Sequence, residues 1–103
     1  MLRHIVMWKL QAKDAVQREL DAVAVKAALE GLRSVVPELR RIEVGRNVAS
    51  PHSNYDLALL AEFDDFAALQ RYQNHPDYRA ASAFVGTLCS DRVCVHYESA
   101  GEA

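Results

Sequence analysis

Two stretches of this sequence carry residue types that can bind a ligand or move a proton. The first, "LRHIVMWKL" at 2–10, sets His4 among apolar neighbours. The second, "RYQNHPDYRA" at 71–80, places Tyr72, His75 and Tyr78 around Pro76. An imidazole in an apolar cleft is readily tuned around neutral pH, and can take a proton or orient a ligand. A buried tyrosine hydroxyl wants a partner, and can orient a ligand or act as a general acid. His4, Tyr72 and Tyr78 are therefore the candidate catalytic residues. Each also has a packing role open to it, His4 as a hydrogen-bonded residue at the core's edge and the tyrosines as large core groups. His75 and Pro76 read as a helix junction. Proline suits the first turn of a helix, where its missing N–H is no loss, and the residue before it stays extended, free to cap.

Little else in the chain suggests chemistry. The histidines at 4, 52, 75 and 96 form no i, i+4 pair and there is no H-E-x-x-H, so no metal site is expected. His96 shares a strand face with Arg92 and Cys94 and has only a weak claim to a role. Cys89 and Cys94 lack C-x-x-C spacing and read as buried free thiols. No serine sits in a nucleophile motif, and no phosphate loop or dinucleotide fingerprint is present, so no cofactor is expected.

The elements that must position these residues follow from periodicity. Residues 2–10 alternate, with Leu2, His4, Val6, Trp8 and Leu10 on one face, as in a strand. Asp14 with Gln17 opens a long helix to about Val35, closed by Pro37. Val16, Leu20, Val23, Ala24, Ala27 and Val35 form its expected core stripe, with Val25, Leu29, Leu32 and Val36 on a second arc. Strands follow at 39–47 and 55–63. Asp64 or Asp65 caps a helix with Phe66, Leu69 and Tyr72 inward. A further helix runs from Pro76 to about Leu88 with Tyr78, Ala81, Phe84, Val85 and Leu88 inward, and the last strand spans 91–98. The order β-α-β-β-α(α)-β is the ferredoxin-like arrangement, an α+β fold with a four-stranded antiparallel sheet. Helices can cover one face of such a sheet. Yet Ile5 and Met7 oppose Val6 and Trp8, and Cys94 opposes Val93 and Val95, so both faces carry apolar groups, where a wet face should be polar. A second copy of the chain, sheet against sheet, is the economical cover, with Arg3, Lys9, Asp56 and Glu62 as a polar rim.

At this point the sequence resembles a family. "RHIVMWKL", "VPELRRIEVGRN", "YDLALLAEF", "LQRYQNHPDYR" and "DRVCVHYE", in this order and spacing, are similar to the stress-responsive dimeric α/β-barrel (Dabb) family over residues 2–98. The resemblance implies a homodimeric α/β barrel, a domain over 1–99 followed by a tail at 100–103, and a pocket in each subunit between sheet and helices. His4, Val6, Trp8, Leu59, Tyr72 and Tyr78 are the residues expected to line it. One relative is a plant polyketide cyclase that makes olivetolic acid. Its strand-one histidine matches His4, and its tyrosine and H-P match Tyr72 and His75-Pro76. Its catalytic base, a histidine, falls on Tyr78. Tyrosine, with an ordinary pKa of about 10, is a poor base at neutral pH, so the resemblance does not carry that ring closure over.

Composition bounds the partners. Twelve basic against fourteen acidic residues among 103 give a net charge of −2, without the clustered cations that phosphate neutralisation needs, so nucleic acid is not an expected partner. No apolar run reaches the ~18 residues of a membrane span and no secretory signal is visible, which gives cytoplasm as the expected compartment. The reading is a small cytoplasmic homodimer whose pocket binds a small, partly apolar molecule, in a stress-related setting. A cofactor-free enzyme (cyclase, isomerase, lyase or oxygenase) in the same pocket and a structural dimer without ligand are the alternatives.

Overall fold

The computed structural model describes residues 1–100; positions 101–103 of the expected tail lie outside the described residues. In chain order the elements are strand β1 (Leu2–Leu10), helix α1 (Ala15–Glu30) running into a 3-10 turn (Gly31–Ser34), strands β2 (Arg41–Arg46) and β3 (Leu57–Phe63), helices α2 (Phe66–Asn74) and α3 (Pro76–Leu88), and strand β4 (Cys89–Glu98). The sheet order is β2-β3-β1-β4, and every neighbouring pair is antiparallel. This is the ferredoxin-like fold with a four-stranded antiparallel sheet.

Strand β1 is central because it pairs along nearly its whole length on both sides. His4 lies opposite Ala61 of β3 and His96 of β4, and Val6 opposite Leu59 and Cys94. The period of two sends Leu2, His4, Val6, Trp8 and Leu10 to the helix side, all buried. On β3 the same side carries Leu57, Leu59, Ala61 and Phe63, also buried. Burying one such large apolar side chain contributes about 1.5–3 kcal/mol, so these two strands and the helices over them hold most of the core.

The helix starts behave as capping chemistry dictates. The Asp14 carboxylate accepts from the Gln17 N–H at 2.9 Å, and that of Asp65 from the Ala68 N–H at 2.8 Å. Before β3, Asp56 ties three pieces together: its carboxylate accepts from the Leu10 N–H at 2.7 Å and from Arg18 at 2.6 Å, and its own N–H donates to the Trp8 carbonyl at 2.8 Å. Asp56 is thus an internal tie rather than part of a rim, whereas Arg3 and Glu62 do pair on the bare sheet face at 3.0 Å.

Several inward assignments are corrected. Helix α1 packs its Ala22, Val25 and Leu29 arc on the sheet, continued by Leu32 and Val36, while Val16, Leu20, Val23 and Val35 of the expected core stripe are exposed. Both arcs are apolar, and the sheet accepts only one; the Lys26 ammonium, bonded to the Val44 carbonyl at 2.6 Å, and Glu30, which takes the Val44 N–H at 3.0 Å, fix which. Phe66, at the first position of α2, and Phe84 on the outer side of α3 are also exposed rather than inward.

The far face of the sheet is bare. Met7, Val93, Val95 and Tyr97 are 39–52 % exposed there.

Candidate functional site

The site is assembled where α2 gives way to α3. After Asn74 the chain extends through His75, with φ −68° and ψ 134°, and its Nδ1 accepts from the Asp77 N–H at 3.1 Å. Pro76 occupies the first turn of α3. This junction brings the last turn of α2 against the first turn of α3, so the Tyr72 and Tyr78 rings lie 4.4 Å apart. Tyr72 is buried over β1, its ring 6.5 Å from that of His4 and 5.0 Å from that of Phe63. His4 in turn meets Phe63 edge-on at 6.5 Å.

Beside this cluster a cavity of about 380 Å³ opens between β1, the start of β4 and the inner side of α3. His4, Val6, Trp8, Leu59, Tyr72 and Tyr78 all lie on its wall. Val85 and Gly86 form the α3 side, and Ser90, Asp91 and Arg92 the rim. A Cβ added at Gly86 would meet nothing within 4 Å, so the glycine leaves space there rather than avoiding a clash.

The electrostatics are those of a dry wall with a wet rim. Burial, helped by His96 and the Arg92 guanidinium, holds the His4 pKa down at about 4, so its imidazole is neutral at neutral pH. Burial likewise pushes the Tyr72 hydroxyl well above its ordinary range, leaving it a proton-bearing donor. Burial, reinforced by Asp56 and Asp21, raises the Cys89 thiol to about 11. At the rim, Asp91 is engaged by the Tyr55 hydroxyl at 2.9 Å and by the Arg92 N–H at 2.8 Å. No carboxylate pairs with the Arg92 side chain among the described residues.

Residues 2–99 match the family described as the stress responsive A/B barrel domain. The chain belongs to that family. A curated relative, an uncharacterized protein of Streptomyces coelicolor, is 36% identical over 86 residues, covering 81% of this chain and 84% of the relative. Among solved structures, a dimeric ferredoxin-like protein of unknown function from Bacteroides fragilis is 33% identical, with a TM-score of 0.83 over 95% of both chains. A dimeric ferredoxin-like protein from Thermobifida fusca, also of unknown function, is 30% identical, with a TM-score of 0.76 over 93% of this chain and 88% of that one.

Within this stress-responsive barrel domain, two residues near the site stand out that carried little weight in the sequence, His96 with only a weak claim and Cys94 expected as a buried thiol. His96 puts its ring 4.7 Å from that of His4, and the Cys94 sulfur lies between the two imidazoles. Cys94 is exposed, not buried, because no helix covers β4, and Cys89 is only half-buried. The signal that would have found this pair is the β1–β4 register, which sets His96 opposite His4.

Proposed function

We propose that the protein is a homodimer joined through its bare sheet face, each copy holding a small, partly apolar molecule in the cavity beneath α3. One observation carries the ligand reading: a cavity of about 380 Å³ walled by Val6, Trp8, Leu59 and Val85 opens toward the Arg92 guanidinium. Binding sites of this kind are mostly apolar, with a few convergent polar groups that fix orientation. A ligand with an apolar body and an acidic end suits the arrangement, its body against Trp8 and Val85, its acid at Arg92 and a hydroxyl or carbonyl near His4 and the tyrosines.

The dimer reading rests on the exposed Met7, Val93, Val95 and Tyr97 and on the two similar ferredoxin-like proteins described as dimeric. The cytoplasm remains our reading of the compartment, in keeping with two unpaired cysteines. His4, Tyr72 and Tyr78 could also serve acid–base chemistry without a cofactor. A histidine whose pKa sits at about 4 is a weak base, which ranks binding ahead of catalysis.

Benzoate, phenol and short aliphatic acids are suitable probes by saturation-transfer NMR. At least one is expected to bind wild type and to lose its signal in Gly86→Leu, which fills the cavity. No binding by any probe, or equal binding by a folded Gly86→Leu, would refute the pocket. Val95→Asp should convert a dimer to a monomer in sedimentation; a wild-type monomer at micromolar concentration would refute the dimer.

A further inference from the structure

Strands β1 and β4 gather three metal-ligand side chains that no local sequence spacing reveals. His4 of β1 faces His96 of β4, and Val6 faces Cys94, so the period of two puts His4, Cys94 and His96 on one side of the sheet. The Cys94 Sγ is 3.6 Å from His4 Nδ1 and 3.4 Å from His96 Nε2. A thiol has one proton and donates it weakly, so hydrogen bonding alone cannot serve both nitrogens as acceptors. A shared cation can be bound by all three groups at once. With metal–sulfur and metal–nitrogen bonds of about 2.3 and 2.05 Å, a tetrahedral centre separates sulfur from nitrogen by about 3.6 Å, close to both separations. The ligand atoms of all three residues lie within 4.8 Å of one another, so a modest turn of the exposed His96 ring closes the set.

We propose that His4, Cys94 and His96 form a three-ligand site for a d-block dication, zinc in the first instance. Sulfur and imidazole nitrogen select such a metal over magnesium or calcium, which take oxygen ligands. Three protein ligands leave a fourth tetrahedral position for water or a ligand, the open arrangement typical of reactive rather than purely structural zinc. His4 is already held from behind by the Phe63 and Tyr72 rings, a fixed anchor for two ligands on an accessible strand. Arg92 and Glu98 flank the pair on the same face of β4, so the local field is mixed and the thiolate supplies the charge that offsets the cation. The site borders the cavity at His4 and does not depend on an organic ligand being bound there.

The test is cobalt titration of the untagged, reduced, chelator-stripped full chain. One Co²⁺ per chain should bind with intense tetrahedral d–d bands and a thiolate-to-cobalt charge-transfer band, both displaced by Zn²⁺. Cys94→Ser should abolish the charge-transfer band, and His96→Ala should weaken binding by roughly tenfold or more, as even loss of a ligand's supporting partner does. Both positions are exposed, so these variants should keep the wild-type circular dichroism; Cys89→Ser should keep the band. Absence of the band in wild type, or Co²⁺ affinity unchanged in folded Cys94→Ser and His96→Ala, would overturn the proposal.

Discussion

Strands β3 and β4 flank β1 on opposite sides, yet they live in different surroundings. Four of the seven residues of β3 are buried, Leu57, Leu59, Ala61 and Phe63, alternating with half-covered or open ones. Not one of the ten residues of β4 is fully buried. The ladders do not explain this, since both strands pair with β1 over most of its length. The difference comes from the helix layer, which sits over β1 and β3 and stops short of β4. The covered strand supplies stability, while the uncovered one supplies surfaces: Val93, Val95 and Tyr97 on the bare face where we propose a second copy docks, Arg92, Cys94 and His96 on the side of the cavity and its edge.

The sharpest way to break this contrast is to truncate one residue on each strand. Phe63→Ala should cost about 3–5 kcal/mol, the ordinary loss for a fully buried phenylalanine, independent of protein concentration in urea denaturation. Val93→Ala should act through association, so its cost should change with protein concentration. An equal, concentration-independent loss at both positions would erase the distinction.

Next in size is acid. In metal-free protein, the His4 pKa lies near 4 when folded and near its ordinary 6.5 when unfolded. The unfolded chain therefore takes up the proton first as pH falls. Stability is full above about 6.5 and declines down to about 4, by about 3 kcal/mol in total. Urea midpoints measured across that window check this decline; a flat profile between pH 6.5 and 4 would refute it.

A smaller effect is kinetic. With its thiol at about 11 rather than the ordinary 9, Cys89 carries about a hundred-fold less thiolate at a given pH. In the Cys94→Ser variant, iodoacetamide should label Cys89 about a hundred-fold more slowly in the folded protein than in urea. The smallest effect is at Gly86, a helical position with open space around it. Gly86→Ala should stabilise by about 0.5–1 kcal/mol through helix propensity while narrowing the cavity.

Much of this layout was legible from local signals. The alternation of Leu2 through Leu10 gives the face of β1 that meets the helices, and the Asp14 and His75-Pro76 signals mark where helices begin. The same signals fail where two choices look alike locally. Helix α1 carries apolar residues on two arcs, and only the Lys26 and Glu30 bonds to Val44, made across space, decide that Val25 and Leu29 point in. Phe66 and Phe84 fit an inward spacing, but α2 and α3 are rotated so that Leu69, Tyr72 and Val85 fill the interior. The grouping of His4 with Cys94 and His96 depends on strand register, a long-range property that no window of sequence encodes.

The paired tyrosines at the α2–α3 junction, their rings tilted by 49°, bear on how such a protein could diversify. Tyr72 is buried and braces Phe63 and His4, so a change there disturbs the scaffold. Tyr78, half-buried and one turn past the junction, faces the same cavity with far less of the fold depending on it. A lineage could exchange the residue at 78 and alter what the cavity recognises at little risk to folding. Inheritance of the architecture and innovation at the cavity would then rest on two neighbouring rings.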